Sequence, residues 1–181
     1  HYAEILKSLS PTEYDLILID ADAELKAFAA ELPCASYELP QLLHGTCQGY
    51  RYLVSHHFHG MMKLQLSEDP AENIYYPLIK FLGQYNIRLM YGLGHDHWNF
   101  ADWNAYYDLH LCFGPWQAKK LAGFDSLKLE VGVPRYSGYF QAAADPLRRH
   151  KLREDLGLQP HDRVLIWLPT LGAENTLPVY L

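Results

Sequence analysis

The chain has 181 residues, 49% of them hydrophobic, with 14 tyrosines and a formal net charge of -6. This is a globular composition, not a disordered one, long enough for a hydrophobic core, and the charge argues against a general nucleic-acid-binding surface while leaving room for a local basic patch. No apolar run approaches the roughly 18 residues of a membrane span, and no secretory leader is expected in the residues from His1 onward.

Taken in order, residues 1–10 carry Ile5, Leu6 and Leu9 and predict a short helix, broken at Ser10-Pro11-Thr12. The aliphatic run at 14–19 (YDLILI) predicts the first strand. Asp22 then caps a helix over 23–32, whose Leu25, Phe28, Ala29 and Leu32 share one face, and Pro33 stops it. The intervening turn, Asp20-Ala21-Asp22, lacks the glycines of a dinucleotide fingerprint, so no nicotinamide site is expected there. A helical turn follows at 39–43. Residues 50–55 (YRYLVS) predict the next strand, which delivers His56, His57 and His59 ahead of Gly60. The chain stays apolar over 61–66 and loops at 67–70. The spacing of Ile74, Pro77, Leu78 and Phe81 then predicts a helix over 70–82, ended by Gly83.

The stretch 87–135 reads as three short apolar strands, 87–91, 109–113 and 127–131, each closed by a glycine-bearing turn. Helices over 101–107 and 115–121 separate them. That alternation indicates βαβ units and a parallel sheet, with ligands binding beyond the carboxyl ends of its strands. Beyond Arg135 the pattern shifts. Asp145-Pro146 opens a helix over 147–156, Gly157 ends it, and residues 164–168 (VLIWL) predict a strand leading into Pro169-Thr170. The cysteines, Cys34, Cys47 and Cys112, have no CxxC spacing and imply reduced thiols in a cytoplasmic protein.

Several residues at these strand ends carry chemistry. His56, His57 and His59 could ligate zinc, supply a general base, or line a cleft. Their turn holds no acidic or thiolate companion, so no metal is expected. In the turn Tyr91-Gly92-Leu93-Gly94-His95-Asp96-His97, Asp96 could orient an imidazole, and Gly92 and Gly94 could let backbone approach a phosphate. The bland reading is a polar surface loop. Asp108 suits a helix-to-strand turn. Arg135 could fork onto a phosphate or pair with an acid. Trp98, Phe100, Trp103, Tyr106 and Tyr107 recur at near-helical spacing and suit core packing better than a sugar platform.

The ordered set Tyr91-Gly92, Tyr107-Asp108-Leu109, Gly132-Val133-Pro134-Arg135 and Pro169-Thr170 resembles the CDP-glycerol glycerophosphotransferase-like proteins of teichoic acid and capsule synthesis, over roughly residues 50–170. The resemblance implies an α/β fold: a Rossmann-like parallel sheet with flanking helices, forming the N-terminal, acceptor-side half (1–144) of a GT-B-type two-domain enzyme. Residues 145–181 would open a second, truncated Rossmann-like domain, leaving this chain alone inactive. It implies a bacterial transferase moving a glycerophosphate or glycosyl unit from a nucleotide-activated glycerol or sugar donor to a polyol or glycan acceptor. It would act in the cytoplasm, with peripheral association at the inner face of the membrane and without a cofactor. Where that family places a His-Gly pair this chain has Tyr91-Gly92, and tyrosine, with a pKa near ~10, is a poor base at neutral pH. His59 and His95 are therefore the catalytic candidates. Tyr91, Gly92, Gly94, His97, Arg135 and Thr170 are the substrate-binding candidates. Two alternatives stand beside this reading: a nucleotide-sugar 2-epimerase-like enzyme, and a non-catalytic binding domain of the same fold.

Overall fold

The short apolar runs at 14–19, 50–55, 109–113 and 127–131 form strands within those bounds, and the run at 87–91 belongs to a strand that begins earlier, Gly83–Leu89. The computed structural model of the chain describes residues 3–6, 8–44, 49–64, 69, 71, 73–90, 92, 96–159 and 161–165. The chain divides into two compact units, His1–Ser137 and Gly138–Leu181.

The first unit is α/β. A short helix α1 (Ala3–Leu6) precedes strand β1 (Leu16–Leu18), helix α2 (Ala23–Ala30), strand β2 (Ser36–Glu38) and helix α3 (Leu39–His44). Asp22 caps α2 as predicted, its side chain accepting from the Leu25 amide at 2.8 Å. Strands β3 (Tyr50–Ser55), β6 (Gly83–Leu89), β7 (Leu109–Cys112) and β8 (Leu127–Glu130) form a four-stranded parallel sheet in the order β3-β6-β7-β8. Strands β1 and β2 form a separate parallel pair. Helix α4 (Leu78–Leu82) leads into β6, α5 (Asp96–Asn99) and a 3-10 turn (Asp102–Tyr106) join β6 to β7, and α6 (Pro115–Lys120) joins β7 to β8.

The predicted helix over 70–82 is corrected. Strand β5 (Ile74–Pro77) pairs antiparallel with β4 (Met61–Leu64), and only Leu78–Leu82 is helical. The β-branched and aromatic run Ile74-Tyr75-Tyr76 favours a strand, and Pro77 stands at the helix N-cap instead of inside it. The supposed apolar face is split: Ile74 and Phe81 are exposed, while Pro77 and Leu78 are buried, and Ile79 and Leu82 face the core with Leu78. The predicted helix over 101–107 is likewise a 3-10 turn, and α5 forms within the segment read as a polar loop.

Parallel register puts paired residues on the same side of the sheet. Ser55, Arg88, His110 and Lys128 therefore share one face, and Val54, Ile87, Leu109 and Leu127 share the other. The first face is covered. Three clusters lie there: Leu42, Leu78 and Leu82; Ile79, Trp103 and Tyr107; and Met90, Cys112 and Leu121. The second face is apolar yet open in part, with Tyr52, Val54, Tyr85, Leu127 and Leu129 all exposed.

Gly83 lies where β6 crosses β3 most closely. A methyl group added there would stand 2.5 Å from Leu53 Cβ and 3.2 Å from the Leu53 amide nitrogen. Its φ of -124° suits any residue, so the demand is purely steric. Gly83→Ala is expected to cost about 1–3 kcal/mol through overpacking, read as a lower urea midpoint with an unchanged denaturant slope. A midpoint equal to wild type would show that β3 and β6 separate freely.

The second unit holds α7 (Ser137–Ala144) and α8 (Pro146–Asp155). Asp145 caps α8 as predicted, its carboxylate accepting from the Leu147 and Arg148 amides at 2.9 and 3.3 Å. Val164 and Leu165 form no strand, and the rest of the predicted strand over 164–168 falls outside the described residues. Among the described residues no helix is long and apolar enough to cross a membrane.

Candidate functional site

The carboxyl ends of β1 and β3 come together. Both enter turns that hold a non-glycine residue in the left-handed region: Asp20 at φ 50° and His59 at φ 57°, with Gly60 following at 85°. Asp and His tolerate that conformation better than most side chains, but it still costs backbone energy. Between the strands lies a cavity of about 350 Å³. Its walls are Leu16, Ile17, Leu18 and Ile19 from β1 and its turn, Leu25 and Phe28 from α2, Leu53 from β3, and Ile79 and Leu82 from α4. Ser55, His56 and His59 are its polar lining residues. β1 belongs to the two-stranded sheet with β2 and β3 to the four-stranded sheet beside β6, so the cavity is lined by strands of two separate sheets. In open parallel sheets ligands bind beyond the carboxyl ends of the strands, and His56 and His59 follow that end of β3.

The turn organises its own imidazoles. The His59 amide donates to His57 Nδ1 at 2.9 Å, so His57 carries its ring proton on Nε2. The His57 ring stacks on Trp98, with centroids 4.8 Å apart and planes at 10°. His59 stands edge-on to His56 at 5.8 Å and to His57 at 5.2 Å. Burial, then the neighbouring His59, His57 and Arg88, pushes His56 down to about 4. Burial lowers His59 as well, partly offset by the negative charge of Asp20. His57 is lowered for the same first reason. At neutral pH all three are uncharged acceptors or donors. Among the described residues no group of three His, Cys, Asp or Glu side chains is arranged to hold a metal ion.

Beneath the turn lies a buried polar network. Arg88 is fully enclosed within the sheet face. Its Nη1 donates to the Asn99 carbonyl at 2.6 Å and to Asn104 Oδ1, its Nη2 to Asn99 Oδ1 at 3.1 Å, and its Nε to the His56 carbonyl at 3.4 Å. The Trp103 ring lies 4.2 Å from the guanidinium. Asn104 Nδ2 donates to the Asn99 and Ala101 carbonyls, which fixes the amide's orientation. Asn104 Oδ1 therefore accepts from His110 Nε2 at 3.0 Å, and His110 Nδ1 accepts from the Ser126 hydroxyl at 2.9 Å. Ser55 and Tyr107 share a further hydrogen bond of 2.8 Å. The guanidinium thus ties the backbone of the histidine turn to the α5 segment.

Of the residues singled out in the sequence, His59 sits at the mouth of the cavity, half-buried. Gly92 holds its carbonyl against Gln117 Nε2 at 2.9 Å, and a side chain there would meet open space, so its being glycine answers no close approach. His97 lies exposed on α5, next to the Trp98 that stacks on His57. Tyr91, Gly94, His95 and Thr170, and the side chain of Arg135, lie outside the described residues. Asp108 accepts from the Asn86 amide at 2.7 Å and pairs with Lys80 at 3.2 Å, which is turn architecture. Trp103 and Tyr107 are core, whereas Trp98 is exposed. Sequence reading missed Asp20, Arg88, Asn99, Asn104 and His110. The available signal was the polar residue recurring every second position within apolar strands, as in Asn86 and Arg88.

Comparison of the chain with protein-family models, with curated proteins and with solved structures finds no match. What the fold and site define is a class: an α/β domain with a four-stranded parallel sheet flanked by helices and an apolar crevice edged by histidines.

Proposed function

We propose that the chain is the acceptor-side domain of a GT-B-type transferase. It moves a glycerophosphate or glycosyl unit from a nucleotide-activated donor to a hydroxyl of a polyol or glycan acceptor. In this reading the work is done at the inner face of a bacterial membrane, on a cell-surface polymer, and a second Rossmann-like domain binds the donor. The supporting observation is an uncharged imidazole, His59, under the field of Asp20 and lining the crevice between β1 and β3. A general base must be unprotonated and must gain stability once it takes the proton. His59 meets the first condition through burial and the second through Asp20, as in acid–imidazole pairs generally. The acceptor hydroxyl gives its proton to His59 as its oxygen bonds to the transferred phosphorus or anomeric carbon. The bond to the nucleotide leaving group breaks, and the leaving group departs with the electron pair. Arg88, through the His56 carbonyl, holds the turn in place.

The apolar lining of the crevice favours a second reading, a binding domain that performs no chemistry. One experiment separates them. In the full-length protein, His59→Asn keeps a side chain that tolerates the left-handed backbone but removes the base. It is expected to lower kcat on the order of 10²-fold with little change in KM or Tm. His95→Ala, measured in parallel, tests the other candidate base. Full kcat in both variants would sink the base assignment and leave the binding reading standing.

A further inference from the structure

We infer that Phe100 and Trp116, with Asp96, form a binding site for a quaternary ammonium group, and that the chain's own Lys120 holds the place until such a cation arrives. Binding here is apart from the histidine crevice and independent of the transfer reaction. Phe100 follows α5, and Trp116 is the second residue of α6. Their rings stand at 81° with centroids 5.6 Å apart. The Lys120 ammonium lies over both rings, 5.9 Å from the Phe100 centroid and 5.4 Å from that of Trp116. Three nearly equal distances and a near right angle put the charge in the corner between the rings. Asp96 closes the corner, its Oδ2 3.3 Å from the Lys120 nitrogen.

The negative faces of two rings meet the charge, and a carboxylate balances it, which is how aromatic cages hold organic cations. The rings are fixed before any ligand comes. Phe100 is next to Asn99, whose carbonyl accepts from the buried Arg88 at 2.6 Å. Trp116 is next to the buried Gln117, whose Oε1 accepts from the Phe113 amide at 2.7 Å and whose Nε2 donates to the Gly92 carbonyl at 2.9 Å. A ligand therefore does not have to order its own site. Lys120 is a weak occupant. Both of its ring distances lie near the outer limit of about 6 Å for the contact, so the ammonium stands off from the rings. It is a compact, strongly hydrated charge on a flexible stem. Trp116, Lys120 and Asp96 all remain exposed, and an exposed ion pair contributes little. A quaternary ammonium is broader, so its methyl groups reach the rings, and it has no N–H to keep in water.

The test is a titration of the full-length protein, labelled at the tryptophan indole nitrogens for NMR, with tetramethylammonium chloride. A saturable shift of the Trp116 indole N–H signal is expected, absent with sodium chloride at the same ionic strength. Lys120→Ala, which removes the resident ammonium, should tighten tetramethylammonium by about threefold or more, the size of one exposed cation–π contact or ion pair. Lys120→Gln gives the same reading should the alanine variant misfold. In the Lys120→Ala background, Asp96→Asn and Phe100→Leu should each weaken binding by about threefold or more. Choline and phosphatidylcholine vesicles carry the same group, one dissolved and one on a surface, and whichever moves Trp116 names the source. A signal moved by neither would overturn the ligand class. No saturable shift in wild type or in the Lys120 variants, or an equal shift with sodium chloride, would overturn the site. Lys120 variants that bind no more tightly than wild type would overturn the part given to Lys120. None of these arms measures turnover, so the transferase reading and the cation site can fail separately.

Discussion

Arg88→Met is expected to destabilise the first unit by on the order of 3–5 kcal/mol. Methionine matches the length and apolar stem of arginine but donates nothing. The Asn99 carbonyl, Asn99 Oδ1 and Asn104 Oδ1 would each lose a charge-assisted partner inside a face where Asn99, Asn104 and His110 are buried. An unmet buried acceptor costs about 1–3 kcal/mol, and the losses fall on one network. Against a domain stability of roughly 5–15 kcal/mol, this is a large fraction. Arg88→Lys should recover little, because an ammonium cannot span two asparagines with a planar fork. Arg51→Ala, at an exposed residue near the start of β3, should change stability by less than about 0.5 kcal/mol. Urea unfolding followed by circular dichroism decides it. A wild-type midpoint for Arg88→Met would mean that the network adds no net stability.

Acid should loosen the same face. Burial, with help from Arg88 and Lys128, pushes His110 down to about 4, against about 6.5 for an unfolded imidazole. The folded state therefore binds protons less readily than the unfolded one between these values. Stability is fully present above about pH 6.5 and is lost as pH falls towards 4. The geometry gives the reason: a protonated His110 would donate from both nitrogens, and Nδ1 now accepts from Ser126. For His110 the loss is on the order of 3 kcal/mol across the window. His56 is lowered in the same direction and adds to the slope, by less because it is partly exposed. His110→Gln, which can still donate to Asn104, should flatten the fall in Tm between pH 6.5 and 4. An equally steep fall in that variant would assign the acid sensitivity to other groups.

Much of the fold is legible locally. Strand β3 spans the predicted 50–55, and β7, β8, α6 and α8 lie within a residue or two of their expected limits. In each, a short apolar run or a capped helix is bounded by glycine, proline or aspartate, and those signals act within a few residues. The 74–82 segment misled because a strand followed by a helix placed Ile74, Pro77, Leu78 and Phe81 at helical intervals. The histidine turn was visible as a cluster, but its partner Asp20 lies 39 residues earlier and meets it only once β1 and β3 face each other. Arg88, Asn104 and His110 come from three elements, and no spacing rule joins them. The cavity is lined by β1, α2, β3 and α4, elements far apart in the chain, and local pattern does not contain their meeting.

The sheet carries its buried charge on one face and its uncovered leucines on the other. Parallel sheets are ordinarily covered on both sides, and an apolar surface of this kind answers to the solvent's ions. Tyr52, Val54, Tyr85, Leu127 and Leu129 will bind hydrophobic-interaction resin. Sulfate and phosphate, which strengthen apolar association, will salt the chain out sooner than its acidic balance suggests. Handling of the protein thus turns on the choice of anion more than on distance from its isoelectric point.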